Sequence, residues 1–210
     1  MSGLLDLLNS DIGKQMISGL SNQTGQSESK TANVLSMGLP VLMGAMKKNA
    51  SSNDGAQGLM SALSNKHDGS ILNNLGGLFQ NGVDDTVLSD GAGILNHVLG
   101  GKQSQVEQTI GAKSGVDSGS VSEILKVAAP ILMGVLGQQK RANNVSDSNG
   151  ISSLLGSMLG GQPQENQSLI MSLIDSDGDG SVLDDVADIV LGSGKKKGGL
   201  GGLIGGFFGK

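Results

Sequence analysis

The apolar positions of the first stretch, Leu4, Leu8, Ile12, Met16 and Leu20, recur every fourth residue with polar residues between them. That period is the one-face stripe of an α-helix, and the alternate-residue pattern of a strand is not seen. Two longer apolar runs carry the same signature. "VLSMGLPVLMGAM" (34–46) and "ILKVAAPILMGVL" (124–136) predict long helices, each followed by basic residues, Lys47 and Lys48 or Lys140 and Arg141, where cations complement the negative end of the helix dipole. Ser120 and Glu123 have the spacing of a capping box, which predicts a helix start near Ser120. "SNDGAQGLMSAL" and "SDSNGISSLLGSML" predict a shorter helix after each long one, entered through a Ser, Asn or Asp cap. "HDGSILNNLGGLFQNGVDD" supplies a short helix and a loop between them. Every predicted element is helical, so the expected fold class is all-α.

The two halves also align with each other. At an offset of 90, Pro40 falls on Pro130, Gly44 on Gly134, Met16 on Val106, Leu20 on Ile110 and the turn Thr24–Gly25 on Ser114–Gly115. The expectation is a tandem pair of helical repeats. A proline inside a helix deletes one backbone hydrogen bond and clashes with the preceding turn, costing about 3 kcal/mol, so both central helices are expected to be kinked. Gly44 and Gly134 would then let a neighbouring helix come close, and Met37, Met43, Met46 and Met133 would fill the core. The competing reading is a ligand groove at the carbonyls that the prolines leave exposed.

Composition narrows the function classes. There is no Trp, Tyr or Cys and only three Phe, so the core must be built from aliphatic side chains and Met, without disulfides, zinc ribbons or a thiol nucleophile. The 36 Gly weaken helices by up to about 1 kcal/mol at each interior position, which favours marginal stability or help from partners. A net charge of −5 and the scarcity of aromatics argue against a nucleic-acid surface. The N-terminus lacks a basic region and its apolar stretch is broken by Asp6, Asn9 and Asp11, unlike a secretory signal. No run is read as reaching the roughly 18 to 20 apolar residues of a membrane span. A cytoplasmic location is the expectation.

Several stretches carry a family resemblance: "SGLLDLL", "LPVLMGAMKKNASSNDGAQGLMSAL", "HDGSILNNLGGL", "GAGILNHVLGGKQSQVEQTIGAKSG" and "APILMGVLGQQK". Over residues 1–160 the chain resembles the bacterial domain of unknown function 937, related to the YidB-like proteins. The resemblance implies an all-helical bacterial protein and brings no catalytic residues with it. The organisation read from the whole chain is a first repeat at 1–80, a second at 81–160, a calcium-loop segment at 161–191 entered through a linker around 160–167, and a Gly-rich flexible tail at 192–210.

The strongest chemical motif is "DSDGDGSVLDD". In a calcium loop of the EF-hand type, oxygens come from positions 1, 3 and 5, a backbone carbonyl at 7 and a terminal carboxylate, with Gly at 6 for the turn. Asp175, Asp177, Asp179, the Ser181 carbonyl, Gly180 and Val182 fit the first eight positions. The twelfth position is Val186 rather than Glu, and the closing acids fall earlier as Asp184 and Asp185, which suits a tightened loop. Apolar residues Leu169, Ile170, Leu173 and Ile174 before it, and Val186, Ile189 and Val190 after it, give the helix-loop-helix context. The expected ion is Ca2+, with Mg2+ or a solvated acidic loop as alternatives. Crowded carboxylates repel without a cation, so the segment should stiffen on binding.

The tail joins Lys195, Lys196 and Lys197 to Leu200, Leu203, Ile204, Phe207 and Phe208, a combination that suits an anionic membrane surface or docking on another subunit. "GLGGLIGG" follows no strand and is not read as a nucleotide loop. His67 and His97 are taken as surface or partly packed residues, and the scattered Asp, Glu and Ser suggest no common cleft. These readings favour a non-enzymatic interaction or scaffold protein that self-associates. A membrane- or envelope-associated protein is the alternative, and a metal-dependent hydrolase the remote one.

Overall fold

The structure is a computed structural model and describes residues 3–80, 82–160 and 162–174. Its helices are α1 (Leu4–Asn9), α2 (Asp11–Thr24), α3 (Glu28–Asn49), α4 (Asn53–Asn65), α5 (Leu75–Gln80), α6 (Asp85–Leu99), α7 (Gln103–Ser114), α8 (Ser118–Ala142), α9 (Ser148–Leu159) and α10 (Gln164–Ile174), with short 3-10 turns at Ser70–Asn74 and Gly100–Lys102. Among the described residues the protein is all-α, as the period of its apolar residues requires.

Local chemistry sets most boundaries. Side-chain oxygens of Ser10, Ser27, Ser52, Asp117 and Asp147 accept from the amide three residues on and open α2, α3, α4, α8 and α9. Gly25 and Gly115 close α2 and α7 in the left-handed conformation, at φ 66° and 67°, which glycine adopts without a Cβ penalty. Three expectations shift. The stripe from Leu4 to Leu20 is split between two helices, because Ser10 is extended and caps α2. The long helix α8 starts at Ser118, near Ser120 as expected, but through a different cap. Asp117 is its cap, accepting from the Ser120 amide at 2.9 Å, while Glu123 accepts from Gln23 Nε2 at 3.1 Å instead of closing a capping box. The second half of the polar stretch expected as a linker is helical: Gln164–Gln167 belong to α10, and the amides of Asn166 and Gln167 donate to the Pro163 carbonyl.

Buried side chains from Leu4 to Ile174 form one continuous cluster. Its centre is the pair of long helices: Val34–Met46 of α3 and Ile124–Leu136 of α8 are buried almost throughout, including Pro40 and Pro130. Leu125 of α8 lies over Gly38 of α3, where a Cβ would clash with it. Helix α6 packs along α8 and α10 along α3, with α2 and α7 against them and α9 bridging α3 to α4. Gly44 and Gly134 serve the close approach expected of them, the former beneath Ile170 of α10 and the latter beneath Ile71. By length and composition α8 could cross a membrane, which the residue-by-residue reading did not show. Most of that stretch is buried inside the fold, as in a core helix.

The two prolines leave carbonyls that the fold treats differently. Pro40 has no N–H to give the Ser36 carbonyl, and Asn166 Nδ2 of α10 donates to it instead at 2.9 Å. Pro130 likewise cannot donate to Lys126, and there Gly91 of α6 brings its backbone directly against the Lys126 carbonyl.

Candidate binding cleft

A cleft of about 740 Å3 opens between α4 and α6 over the centre of the core. Its α4 wall is Gly55, Gly58, Leu59 and Ala62, continued by the C-cap residue Lys66; its α6 wall includes Thr86, Asp90, Gly93, Ile94 and His97. Both sets are spaced by three and four residues, which puts each on a single helix face. Met46 and Asn49 of α3 and Met133 of α8 complete the lining. The volume falls within the 300 to 1,000 Å3 range of ligand sites.

Polar groups gather at defined places. Lys66 Nζ donates to Asp90 Oδ1, and Asp90 Oδ2 lies 3.7 Å from Nε2 of the buried His67, beyond hydrogen-bond length. Burial pushes the His67 imidazole below its ordinary value of 6.5; the Asp90 carboxylate pulls it upward and the Lys66 ammonium downward. His67 is therefore neutral near pH 7, and Lys66 is the partner that balances Asp90. Gly137 of α8 makes room for the His67 backbone, where a Cβ would strike the His67 carbonyl. At the far end Asn49 Nδ2 donates to the carbonyls of His97 and Val98 at 3.3 and 3.4 Å, fixing the end of α6 to α3.

Two smaller cavities flank the cleft. One of about 350 Å3 shares Lys66, His67, Thr86 and Asp90 with it and reaches Pro130. The other, about 240 Å3, shares Asn49 and Val98 and is closed by Lys48, Lys102 and Ile174. Lys48 Nζ and Lys102 Nζ donate to the Ile174 carbonyl at 3.4 and 2.9 Å, so two cations stand at the C-terminal end of α10.

The structure brings together residues that the sequence left scattered. His67 and His97, separated by 30 positions, line one cleft with Asp85, Ser89 and Asp90. The one-turn spacing of Thr86, Asp90, Gly93 and His97 was the available signal. No group of three or more His, Asp or Glu placed to hold a metal occurs among the described residues. The predicted calcium ligands Asp175, Asp177, Asp179, Ser181, Asp184 and Asp185 lie outside the described residues, as do Lys195, Lys196, Lys197, Phe207 and Phe208 of the proposed membrane contact.

Fold and cleft together define a helical bundle protein with an apolar site between helices. The chain belongs to a bacterial protein family of unknown function, DUF937, whose model matches residues 6–139. That range contains every residue lining the cleft, and α10 lies beyond it. Comparison with curated proteins and with solved structures finds no match.

Proposed function

We propose that this protein is a non-enzymatic interaction protein, built by tandem duplication of a helical repeat, that receives an apolar ligand or segment in the cleft between α4 and α6. The character of the cleft carries the reading. Leu59 and Ile94, half-buried on the facing walls, offer an apolar surface over the buried Met46 and Met133 of the floor, and the charged groups Lys66 and Asp90 balance each other. Anilinonaphthalene sulfonate titrated into the full chain tests this. Saturable binding that weakens at least about tenfold in Ile94→Glu supports the reading. Equal binding by both chains overturns it.

The segment that follows α10 binds calcium in this reading, and the ion's role is structural. Support comes from α10, whose Leu169, Ile170, Leu173 and Ile174 are buried and provide a fixed entering helix for a loop starting at Asp175. A single loop without a partner loop suits weak binding, with Kd of order 10⁻⁵ to 10⁻³ M. Isothermal titration should give heat with millimolar calcium and none for Asp177→Asn; silence from the parent chain removes the site. Self-association completes the proposal, and light scattering with calcium and with chelator reports the mass in each state.

A further inference from the structure

We propose that the occupant of the cleft is this chain's own C-terminal segment, Leu200–Phe208, bound in cis; this deepens the binding reading above and rests on it. The path of the chain is the first argument. Ile174, the last described residue, lines a neighbouring cavity that shares Asn49 and Val98 with the cleft, so the chain beyond it starts close to the cleft. About 25 residues separate Ile174 from Leu200, and the roughly eight between 192 and 199 alone reach up to about 27 Å when extended, more than the about 20 Å of α6 that walls the cleft from Asp85 to Val98.

Charge supplies the second argument. Asp85 lines the cleft, is exposed and has no ion-pair partner among the described residues, and its neighbour Asp84 is exposed beside it. Lys195, Lys196 and Lys197 immediately precede the apolar residues of the tail and provide the opposite sign. The third argument is steric fit. A Cβ built on Gly58 or Gly93 meets nothing within 4 Å, so both cleft walls leave open room for an incoming backbone. The tail spaces Leu200, Leu203, Ile204, Phe207 and Phe208 with glycines that permit such close approach, and its apolar side chains match the half-buried Leu59 and Ile94 above the buried Met46 and Met133.

The chain has no cysteine, so Lys210→Cys provides a unique position for a nitroxide label on the full-length protein. The label should broaden the methyl signals of Met46 and Met133, and high salt or Asp85→Lys should reduce the broadening. In the unlabelled chain, Phe207→Ser with Phe208→Ser should raise the affinity for anilinonaphthalene sulfonate at least about tenfold, because the dye no longer competes with the tail. Unbroadened methyls together with unchanged dye affinity overturn the tail as occupant, while dye binding itself leaves the cleft's binding role standing. Broadening that grows with protein concentration alongside a doubled mass overturns docking in cis in favour of a second copy. Co-sedimentation of the full chain with anionic phosphatidylserine vesicles, lost in the Phe207→Ser, Phe208→Ser variant, with the methyls unbroadened, assigns the tail to a membrane and overturns the proposal.

Discussion

Two glycines two positions apart on α6 answer to opposite forces. Gly91 sits against the Lys126 carbonyl that Pro130 leaves without its usual donor, and a methyl there would collide with backbone that cannot move aside. Gly93 faces the open cleft. Alanine at either site gains helix propensity of about 1 kcal/mol. Gly93→Ala should therefore stabilise the protein by about that amount. Gly91→Ala should destabilise it by about 1 to 3 kcal/mol from overpacking, and urea melts of the two variants check the sign. His67 gives a second prediction of this size. Its folded-state pKa lies below 6.5, chiefly through burial, so the unfolded chain takes up the proton more readily. Its burial costs nothing above pH 6.5, and stability declines as pH falls from 6.5 toward the folded value. The exposed carboxylates of Asp68 and Asp117, depressed by hydrogen bonds from Ser70 and Ser120, lose their contribution only as pH falls below 3.8. His67→Gln should flatten the decline just below pH 6.5 and leave the more acidic limb intact, which unfolding measured across pH would show.

Among the helices, α10 is the one whose attachment can be taken apart chemically. Asn166 is buried and donates to the Ser36 carbonyl, which lacks a helical donor only because residue 40 is proline. Asn166→Ala should cost about 1 kcal/mol by removing the donor from that half-buried acceptor. Pro40→Ala restores an amide to the Ser36 carbonyl, so the same Asn166→Ala change should cost markedly less in that background. A double-mutant cycle with no coupling would refute the link. The contrast also shows what the sequence could disclose at this scale. Helix-forming stripes, the Lys47–Lys48 and Lys140–Arg141 ends and the Gly25 and Gly115 stops are local, so the residues themselves announce them. Asp117 was missed because Ser120 and Glu123 offered an equally regular local pattern, and Ser10 because a four-residue period continues smoothly across it. Asn166 lies 130 positions from its acceptor, and no local pattern encodes that contact.

At the scale of the whole molecule the same limit hid the cleft, whose lining from Met46 to Met133 comes together only when four helices pack. His67 looked ordinary because its nearest charged partner beyond Lys66, Asp90, stands on another helix. What the packing adds for the C-terminal segment is a mechanical consequence. Leu169, Ile170, Leu173 and Ile174 belong to the common core, and Lys48 and Lys102 hold the Ile174 carbonyl. An ion bound by Asp175–Asp185 is therefore anchored to a helix that unfolds with the core, and its binding energy should enter the global transition. Calcium that binds only the folded chain stabilises it by about 2.7 kcal/mol at a concentration 100 times Kd. Thermal melts followed by circular dichroism should shift upward by several degrees between chelator and 10 mM calcium, as one transition. The shift should vanish in Asp177→Asn and shrink in Asn166→Ala, where α10 is loosened from α3. A calcium shift of equal size in all three chains would mean that the ion acts elsewhere, and none in the parent would remove the calcium role from the protein.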